Sequence, residues 1–247
     1  MFKYNQILIN ILSRFSFTII ISACIYAFHA YSFSIGLFDN VDIQISGNDY
    51  IDSQRIESKI YPEMSSSLLS VNLTDIQNKL ESIDYIEAVQ VSLILPHTLM
   101  IHIIEHSPML LINSANEINF MDNNGVLLPA NEKSISTFPV PVLLILDENI
   151  SIDKYTADIA HLFQFLLDVY PLFYNNLSEV KIYGGVWEFY NDNNTIIYAH
   201  DSFLINQLNI LKDFEKTVYP IRNLNDYSYI DLRIKDLVIV KEKIRKS

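Results

Sequence analysis

The sequence predicts an α+β fold on a single N-terminal transmembrane helix. An uncharged apolar run occupies residues 15–38, a strand–helix–helix–strand–strand pattern follows over residues 40–108, and strand patterns with two amphipathic helices fill residues 109–240. A bilayer core needs about 20 apolar residues in a helix, so the first run is long enough to span it. The two later patterns indicate helices packed on sheets.

The apolar run is expected to stay in the chain as an anchor. Lys3 and Arg14 precede it and Asp39 and Asp42 follow it, so the positive-inside rule places residues 1–14 in the cytoplasm and the later residues outside. The alternative is a cleaved signal peptide, whose apolar region is about 7–15 residues long and ends at a small-x-small site. The nearby alanines each follow a large residue two positions earlier, which favours the anchor.

Composition argues against several functional classes. The net charge of −12 and the pI of about 4.8 disfavour a nucleic-acid surface, which needs clustered Lys and Arg. Only five glycines are present and no glycine-rich phosphate motif occurs. The single cysteine, Cys24, lies in the apolar run, so neither a disulfide framework nor cysteine catalysis is expected. We expect no cofactor.

Residues 40–108 are expected to form a small α+β unit. VDIQIS at residues 41–46 alternates like a half-buried strand, and Asp52 and Asn72 are candidate N-caps of two helices. Residues 85–95 and 98–106 then predict two strands around the turn at Pro96.

Residues 109–240 are expected to form a mixed β domain with two helices, followed by a tail at 241–247. DNNG at residues 122–125 is a hairpin signal, because Asn and Gly tolerate positive φ. Residues 151–170 and 201–219 have helical apolar periodicity, and YSYIDLRIKDLVIVKEK predicts two final strands.

The segment HIIEH at residues 102–106 matches the HxxEH zinc peptidase signature. On a helix the two histidines could share one zinc ion, but on a strand they stand ~13 Å apart at about 3.3 Å per residue. The isoleucine-rich run between two prolines favours a strand, and no motif supports His161 or His200 as a third ligand. We therefore expect no catalytic or metal-binding residues, with a zinc peptidase as the remote alternative.

Several segments resemble the POTRA domain of the bacterial FtsQ/DivIB division proteins. They are SGN after the first strand, LLSVNL, DYIEAVQV and LPHTLMIHIIEHSPM. The hairpin motif of that family falls on Pro96, Leu99, Glu105 and Pro108, whereas Leu93 and Leu95 stand where the family usually has arginine and tryptophan. The resemblance continues with the DxxG hairpin at residues 122–125 and the IDLR strand at 230–233.

The resemblance implies a non-enzymatic bitopic scaffold of the divisome. It implies FtsB-like and FtsL-like single-span partners, other divisome membrane proteins, and a place in the inner membrane at the division septum. The alternative class is a POTRA-bearing secretion or envelope assembly factor, which normally has repeated POTRA units or a long β-barrel, and neither fits in these residues.

The expected partner surface is the last strand, residues 234–240, beside the IDLR strand. An exposed edge strand can accept a partner strand through main-chain hydrogen bonds. The alternative is that LVIV forms a central core strand and KEKIRKS a solvated tail. The expected partner-binding residues are Tyr229, Asp231, Arg233, Ile234, Leu237, Val238 and Val240.

Overall fold

A computed structural model describes residues 2–39, 41–63, 68–114, 117–146, 152–219 and 221–244. The chain divides into two units, residues 1–105 and 106–247. Each unit has its own sheet.

Helix α1 (Phe2–Ser34) contains the apolar run. Its segment Ser13–Ser34 has a mean hydropathy of 1.4 and is, by length and composition, able to cross a membrane. The helix ends four residues earlier than expected, because Gly36 takes a left-handed φ of +60°. The N–H groups of Gly36 and Leu37 donate to the carbonyls of Phe33 and Ser32, which is the Schellman pattern that closes a helix.

The first unit continues with two helices and a three-stranded sheet, in the order expected for a POTRA domain. Its elements are β1 (Asp42–Ser46), α2 (Ser53–Ile60), α3 (Leu73–Glu81), β2 (Ile86–Ile94) and β3 (Thr98–Glu105). The predicted caps are confirmed: Asp52 accepts the Gln54 N–H, and Asn72 accepts the N–H groups of Thr74 and Asp75.

Strand β3 is the centre of this sheet, whose order is β1-β3-β2. It pairs parallel with β1 and antiparallel with β2. The helices bury one apolar stripe each and β3 buries alternate residues, so the unit has an apolar core. The fully buried members are Ile56, Ile60, Leu68, Ile76, Leu80, Leu99, Ile101 and Ile103.

The second unit contains a nine-stranded mixed sheet and four helices. The strands are β4 (Pro108–Asn113), β5 (Ile118–Asp122), β6 (Leu127–Pro129), β7 (Val142–Ile145), β8 (Leu177–Tyr183), β9 (Val186–Asn191), β10 (Ile196–His200), β11 (Tyr227–Asp231) and β12 (Ile239–Glu242). The helices are α4 (Glu132–Thr137), α5 (Ile152–Val169), α6 (Pro171–Asn175) and α7 (Leu204–Val218). The sequence predicted α5 and α7 but missed α4 and α6, which are too short to show helical periodicity.

The sheet order is β12-β11-β10-β9-β8-β7-β4-β5-β6. Phe163 on α5 and Leu208 on α7 are fully buried in one core with Phe189 and Ile230 of the sheet. The predicted hairpin at residues 122–125 is confirmed, since Asp122 Oδ1 accepts the N–H groups of Asn124 and Val126. The final strands place a free sheet edge at β12.

Candidate partner-binding edge

The HIIEH segment is a strand up to Glu105, as predicted. His102 is exposed and its Nδ1 lies 3.1 Å from Ser46 Oγ. His106 follows the strand, and its Nδ1 lies 2.7 Å from Asp122 Oδ2. The two histidines therefore have separate partners, and the described part of the chain holds no group of three His, Cys, Asp or Glu side chains placed around one metal position.

The hairpin motif residues have structural positions in the two units. Leu99 is fully buried in the core of the first unit, and Pro96 lies in the turn between β2 and β3. Glu105 ends β3, and its carboxylate accepts backbone N–H groups of the segment that follows β1. Pro108 begins β4.

Strand β12 is one of the two edges of the second sheet, and β6 is the other. Strand β12 pairs antiparallel with β11, in a register that places Ile230 opposite Val240 and Asp231 opposite Ile239. All four residues of β12 are exposed, and the sheet order has no strand beyond it in the part of the chain that the structure describes. The alternative in which this strand is central to the core is therefore wrong.

The predicted position of this strand is also wrong. Residues 234–238 belong to the connection between β11 and β12, which places Ile234, Leu237 and Val238 outside the strand. The connection turns at Asp236, whose φ is +58°, and the Leu237 N–H donates to the Ile234 carbonyl oxygen at 3.2 Å. Lys241 was expected to begin the tail, but β12 continues through it to Glu242.

Of the seven expected partner-binding residues, three lie in strands. Tyr229 and Asp231 are in β11 and Val240 is in β12, whereas the remaining four lie in the connection between them. Lys241 and Glu242 lie in β12 but were not predicted to be in a strand, and Ile239, which was predicted to be in the strand, was not among the expected partner-binding residues. The charged residues Lys241 and Glu242 directly after the apolar run could have indicated an edge strand that continues past Val240, because charged side chains are typical of edge strands.

Arg233 is fixed at the end of β11 by Asp231. Its Nε and Nη2 donate to the two carboxylate oxygens of Asp231 at 2.9 and 2.6 Å. These hydrogen bonds hold the pKa of Asp231 below its usual range and raise the pKa of Arg233. The guanidinium carbon lies 5.0 Å from the centre of the Tyr198 ring, which in turn contacts Tyr229 edge-on.

A row of register partners crosses the sheet to the edge. Lys181 lies opposite Glu188, Glu188 opposite Tyr198, Tyr198 opposite Asp231 and Asp231 opposite Ile239. Residues directly opposite in a sheet direct their side chains to the same face. The row therefore joins a polar and aromatic face of β8–β11 to the edge strand.

Glu188 is the buried centre of this face. Its carboxylate accepts hydrogen bonds from the hydroxyls of Tyr183 at 2.5 Å and Tyr190 at 2.7 Å. The Tyr183 hydrogen bond to Glu188 raises the pKa of Tyr183, and burial with a similar hydrogen bond raises the pKa of Tyr190. Both hydroxyls thus donate to the one carboxylate of Glu188 on this face of the sheet.

The end of β12 is tied back to the sheet. The Lys243 N–H donates to the Asp226 carbonyl oxygen at 2.8 Å, and its Nζ donates to the Asn193 carbonyl oxygen at 2.6 Å. Arg222 lies 3.5 Å from Glu242. These contacts hold a short strand in place while its outer edge stays open to pairing.

Comparisons with known proteins match part of the chain. The family of POTRA domains of the FtsQ type matches residues 41–106. A curated protein named "Cell division protein FtsQ", from Rickettsia bellii (strain RML369-C), is 29% identical over 98 residues, which are 40% of this chain and 36% of that protein. The chain thus matches about a third of the length of this relative.

A solved structure also aligns with the chain. It is the major extracytoplasmic domain of the trans isomer of the bacterial cell division protein DivIB from Geobacillus stearothermophilus, at 14% identity and a TM-score of 0.31, covering 48% of this chain and 98% of that one.

The chain thus consists of an apolar N-terminal helix, a POTRA domain and a mixed β unit. The family match is confined to residues 41–106, which are similar to POTRA domains of the FtsQ type. The resemblance to the FtsQ/DivIB division proteins that the sequence predicted is confirmed by this domain and by the curated relative.

Proposed function

We propose that this protein is a non-enzymatic, single-span scaffold of the bacterial division apparatus. The FtsQ-type POTRA domain and the FtsQ relative support the division role. The exposed edge strand β12 carries the proposal that it works by binding partners. Its partners are FtsB-like and FtsL-like single-span proteins, with other divisome membrane proteins bound elsewhere on the chain.

The binding mode is addition of a partner strand to β12. A free edge presents unpaired N–H and C=O groups, which pair with an extended segment of another chain. Ile239 and Val240 are 41% and 37% exposed and lie on opposite faces of β12. A strand added at this edge would contact one of them on each face, and on one face it would extend the row that ends at Ile239.

The edge strand β12 and its connection to β11 do not share the net negative charge of the whole chain. From residue 231 to residue 244 there are four basic and three acidic side chains, against a net charge of −12 for the whole sequence. One of the four, Arg233, is neutralised by Asp231, while Lys235 is exposed in the connection. The edge can therefore accept a partner segment that carries carboxylates without like-charge repulsion.

The proposed membrane arrangement follows from α1. Residues 1–14 lie in the cytoplasm, the apolar part of α1 from residue 15 onwards crosses the inner membrane, and the residues that follow α1 lie outside it, concentrated at the septum. The charge bias around the apolar run of α1, with Lys3 and Arg14 before the run and Asp39 and Asp42 after it, supports this orientation.

Two neighbouring proline substitutions test strand addition. Successive residues of a strand direct their N–H groups alternately to the two sides. Of Val240→Pro and Lys241→Pro, one removes a donor that pairs with β11 and the other removes a donor that faces outward. Only a proline that replaces an outward N–H is compatible with an edge strand. We therefore expect one of the two variants to stay folded and yet lose co-purification of the FtsB-like partner from cell membranes.

Val240→Asp and Val240→Thr form the matched side-chain pair. The aspartate should remove partner binding, because its charge cannot be buried under an added strand, and the threonine should retain it. Unchanged partner recovery with Val240→Asp and with the folded proline variant would contradict strand addition. The division role is tested separately by a fluorescent fusion, which should form a ring at mid-cell; an even distribution around the envelope would contradict that role.

A further inference from the structure

The turn between β2 and β3 lies at the end of the POTRA domain that is nearest α1. The Asp42 N–H, at the start of β1, donates to the His97 carbonyl oxygen in that turn at 2.8 Å. The parallel pairing of β1 and β3 begins there, with Asp42 opposite Thr98. Ile94, the last residue of β2, and the turn residues 95–97 are together called the β2–β3 turn, which therefore lies beside the point where the chain leaves α1 and enters β1.

A second segment connects this end of the unit directly to the end of α1. The Leu68 N–H donates to the Phe38 carbonyl oxygen at 2.9 Å. Ser70 lines a cavity of about 280 Å³ together with His29 and Phe33 of α1. The segment around Leu68 and Ser70 thus packs against the end of α1. The start of β1 is also close to it, because the four residue steps from Phe38 to Asp42 span at most about 14 Å.

The β2–β3 turn exposes large apolar side chains at this end. Ile94 and Leu95 are 46% and 61% exposed, and Pro96 follows them. A contiguous exposed apolar group on a folded unit marks a contact surface. Ile35, just beyond α1, is also 53% exposed, so the apolar surface of α1 continues towards the turn.

The charged residues near the β2–β3 turn indicate which kind of lipid surface it could contact. Residues 33–42 and 92–98 contain no Lys or Arg, and Asp39 and Asp42 are the acidic residues among them. These two ranges therefore have no Lys or Arg side chain that would attract anionic headgroups, and their contact with a membrane would depend on insertion of apolar side chains alone.

We propose that the β2–β3 turn, through Ile94 and Leu95, inserts into the outer boundary between headgroups and acyl chains next to α1. The inference rests on the proposed transmembrane anchor, since α1 brings the turn to the bilayer. The turn gives the POTRA domain a second contact with the membrane and restricts its tilt on the anchor. Insertion is independent of anionic lipid.

Depth-dependent fluorescence quenching tests this in the full chain, reconstituted in phosphatidylcholine vesicles with doxyl-labelled lipids. An environment-sensitive thiol dye is attached to Leu95→Cys or to Ile94→Cys, each in a Cys24→Ser background. Ile104→Cys is the matched control: it is a 50% exposed isoleucine on β3, six residues from Thr98 and thus ~20 Å along the strand. The third reporter is the wild-type chain labelled at Cys24 inside α1.

We expect quenching by shallow doxyl groups to be at least several-fold stronger at residues 94 and 95 than at 104, with no change when anionic lipid is added. Equal quenching at these positions, with Cys24 quenched by deep doxyl groups, would overturn the inference and leave the anchor intact. If Cys24 itself is not quenched, both the anchor and the inference are wrong.

Discussion

The carboxylate of Glu105, at the end of β3, accepts a hydrogen bond from the backbone N–H of Tyr50, which lies 55 residues earlier in the chain. One carboxylate oxygen accepts the Tyr50 N–H at 2.8 Å and the Asp49 N–H at 3.2 Å, and the other accepts the Ile51 N–H at 2.8 Å. Three successive N–H groups of the β1–α2 loop thus point at one side chain. The glutamate of the FtsQ-like hairpin motif acts here as a clamp on that loop.

Glu105→Gln is expected to loosen the clamp without changing its shape. The amide keeps one acceptor oxygen but directs an NH₂ group at N–H donors, so the loop should lose about 2 kcal/mol. Hydrogen exchange of the residue 49–51 amides in the full chain should accelerate about 30-fold. Glu57→Gln, on the exposed side of α2, should leave these rates unchanged, and equal rates in both variants would argue against the clamp.

Gly47 is required by the same loop. Its φ is +80°, and a Cβ built on it would lie 2.1 Å from the Ile103 carbonyl oxygen. Gly47→Ala should therefore destabilise the first unit by about 3 kcal/mol or more, because backbone strain and a backbone clash add together.

Gly184→Ala is the matched control, since its φ is +54° and nothing lies within 4 Å of its Cβ position. It should cost only the strain, about 1–2 kcal/mol. Hydrogen exchange at Leu99 reports on the first variant and exchange at Val180 on the second. Similar costs for the two would contradict the clash with Ile103.

The first unit could be predicted from the sequence because its signals are local. Caps at Asp52 and Asn72 and the alternation before Pro96 each specify one element, and the structure has all of them. The role of Glu105 could not be derived, because its partners lie more than 50 residues earlier. Only the resemblance marked this residue.

The edge strand could be predicted only in part. The run LVIV indicates a buried strand by its apolar residues, but the chain turns at Asp236 and pairs through IVKE instead. A strand exposed on both faces has no apolar periodicity to locate it. Its register with β11, which places Ile230 opposite Val240, depends on how the connection at residues 232–238 turns, and the apolar pattern does not encode that turn.

The Asp231–Arg233 pair predicts a pH dependence for the connection between β11 and β12. The pair lowers the folded-state pKa of Asp231, so its stabilisation is present at neutral pH and is lost as the pH falls below about 4 and through the folded value. Because Arg233 is largely exposed, the contribution at pH 7 should be about 0.5–1 kcal/mol.

Arg233→Gln should reveal this contribution. It should speed exchange of the residue 232–238 amides at pH 7, and the difference from the wild type should disappear once Asp231 is protonated. Lys235→Gln, which removes an exposed cation from the same connection, should show no such pH dependence. A difference that persists unchanged in acid would contradict the assignment to Asp231.

Substitution of Ile234 and Leu237 tests how much of the partner's binding free energy comes from side-chain contacts. They are 52% and 54% exposed in the connection beside β12, which is an unfavourable exposure unless a partner covers them. The double variant Ile234→Ser/Leu237→Ser should leave the folded stability within about 0.5 kcal/mol and weaken binding of the FtsB-like partner at least about tenfold.

Ile118→Ser provides the control, because Ile118 is 46% exposed on β5, six strand positions and thus ~29 Å from β11 across the sheet. It should not change partner affinity measured with the purified chain in detergent. If the double variant also binds with wild-type affinity while a β12 proline variant does not, the partner contacts the edge through main-chain bonds alone. If neither changes affinity, the partner surface lies elsewhere on the protein.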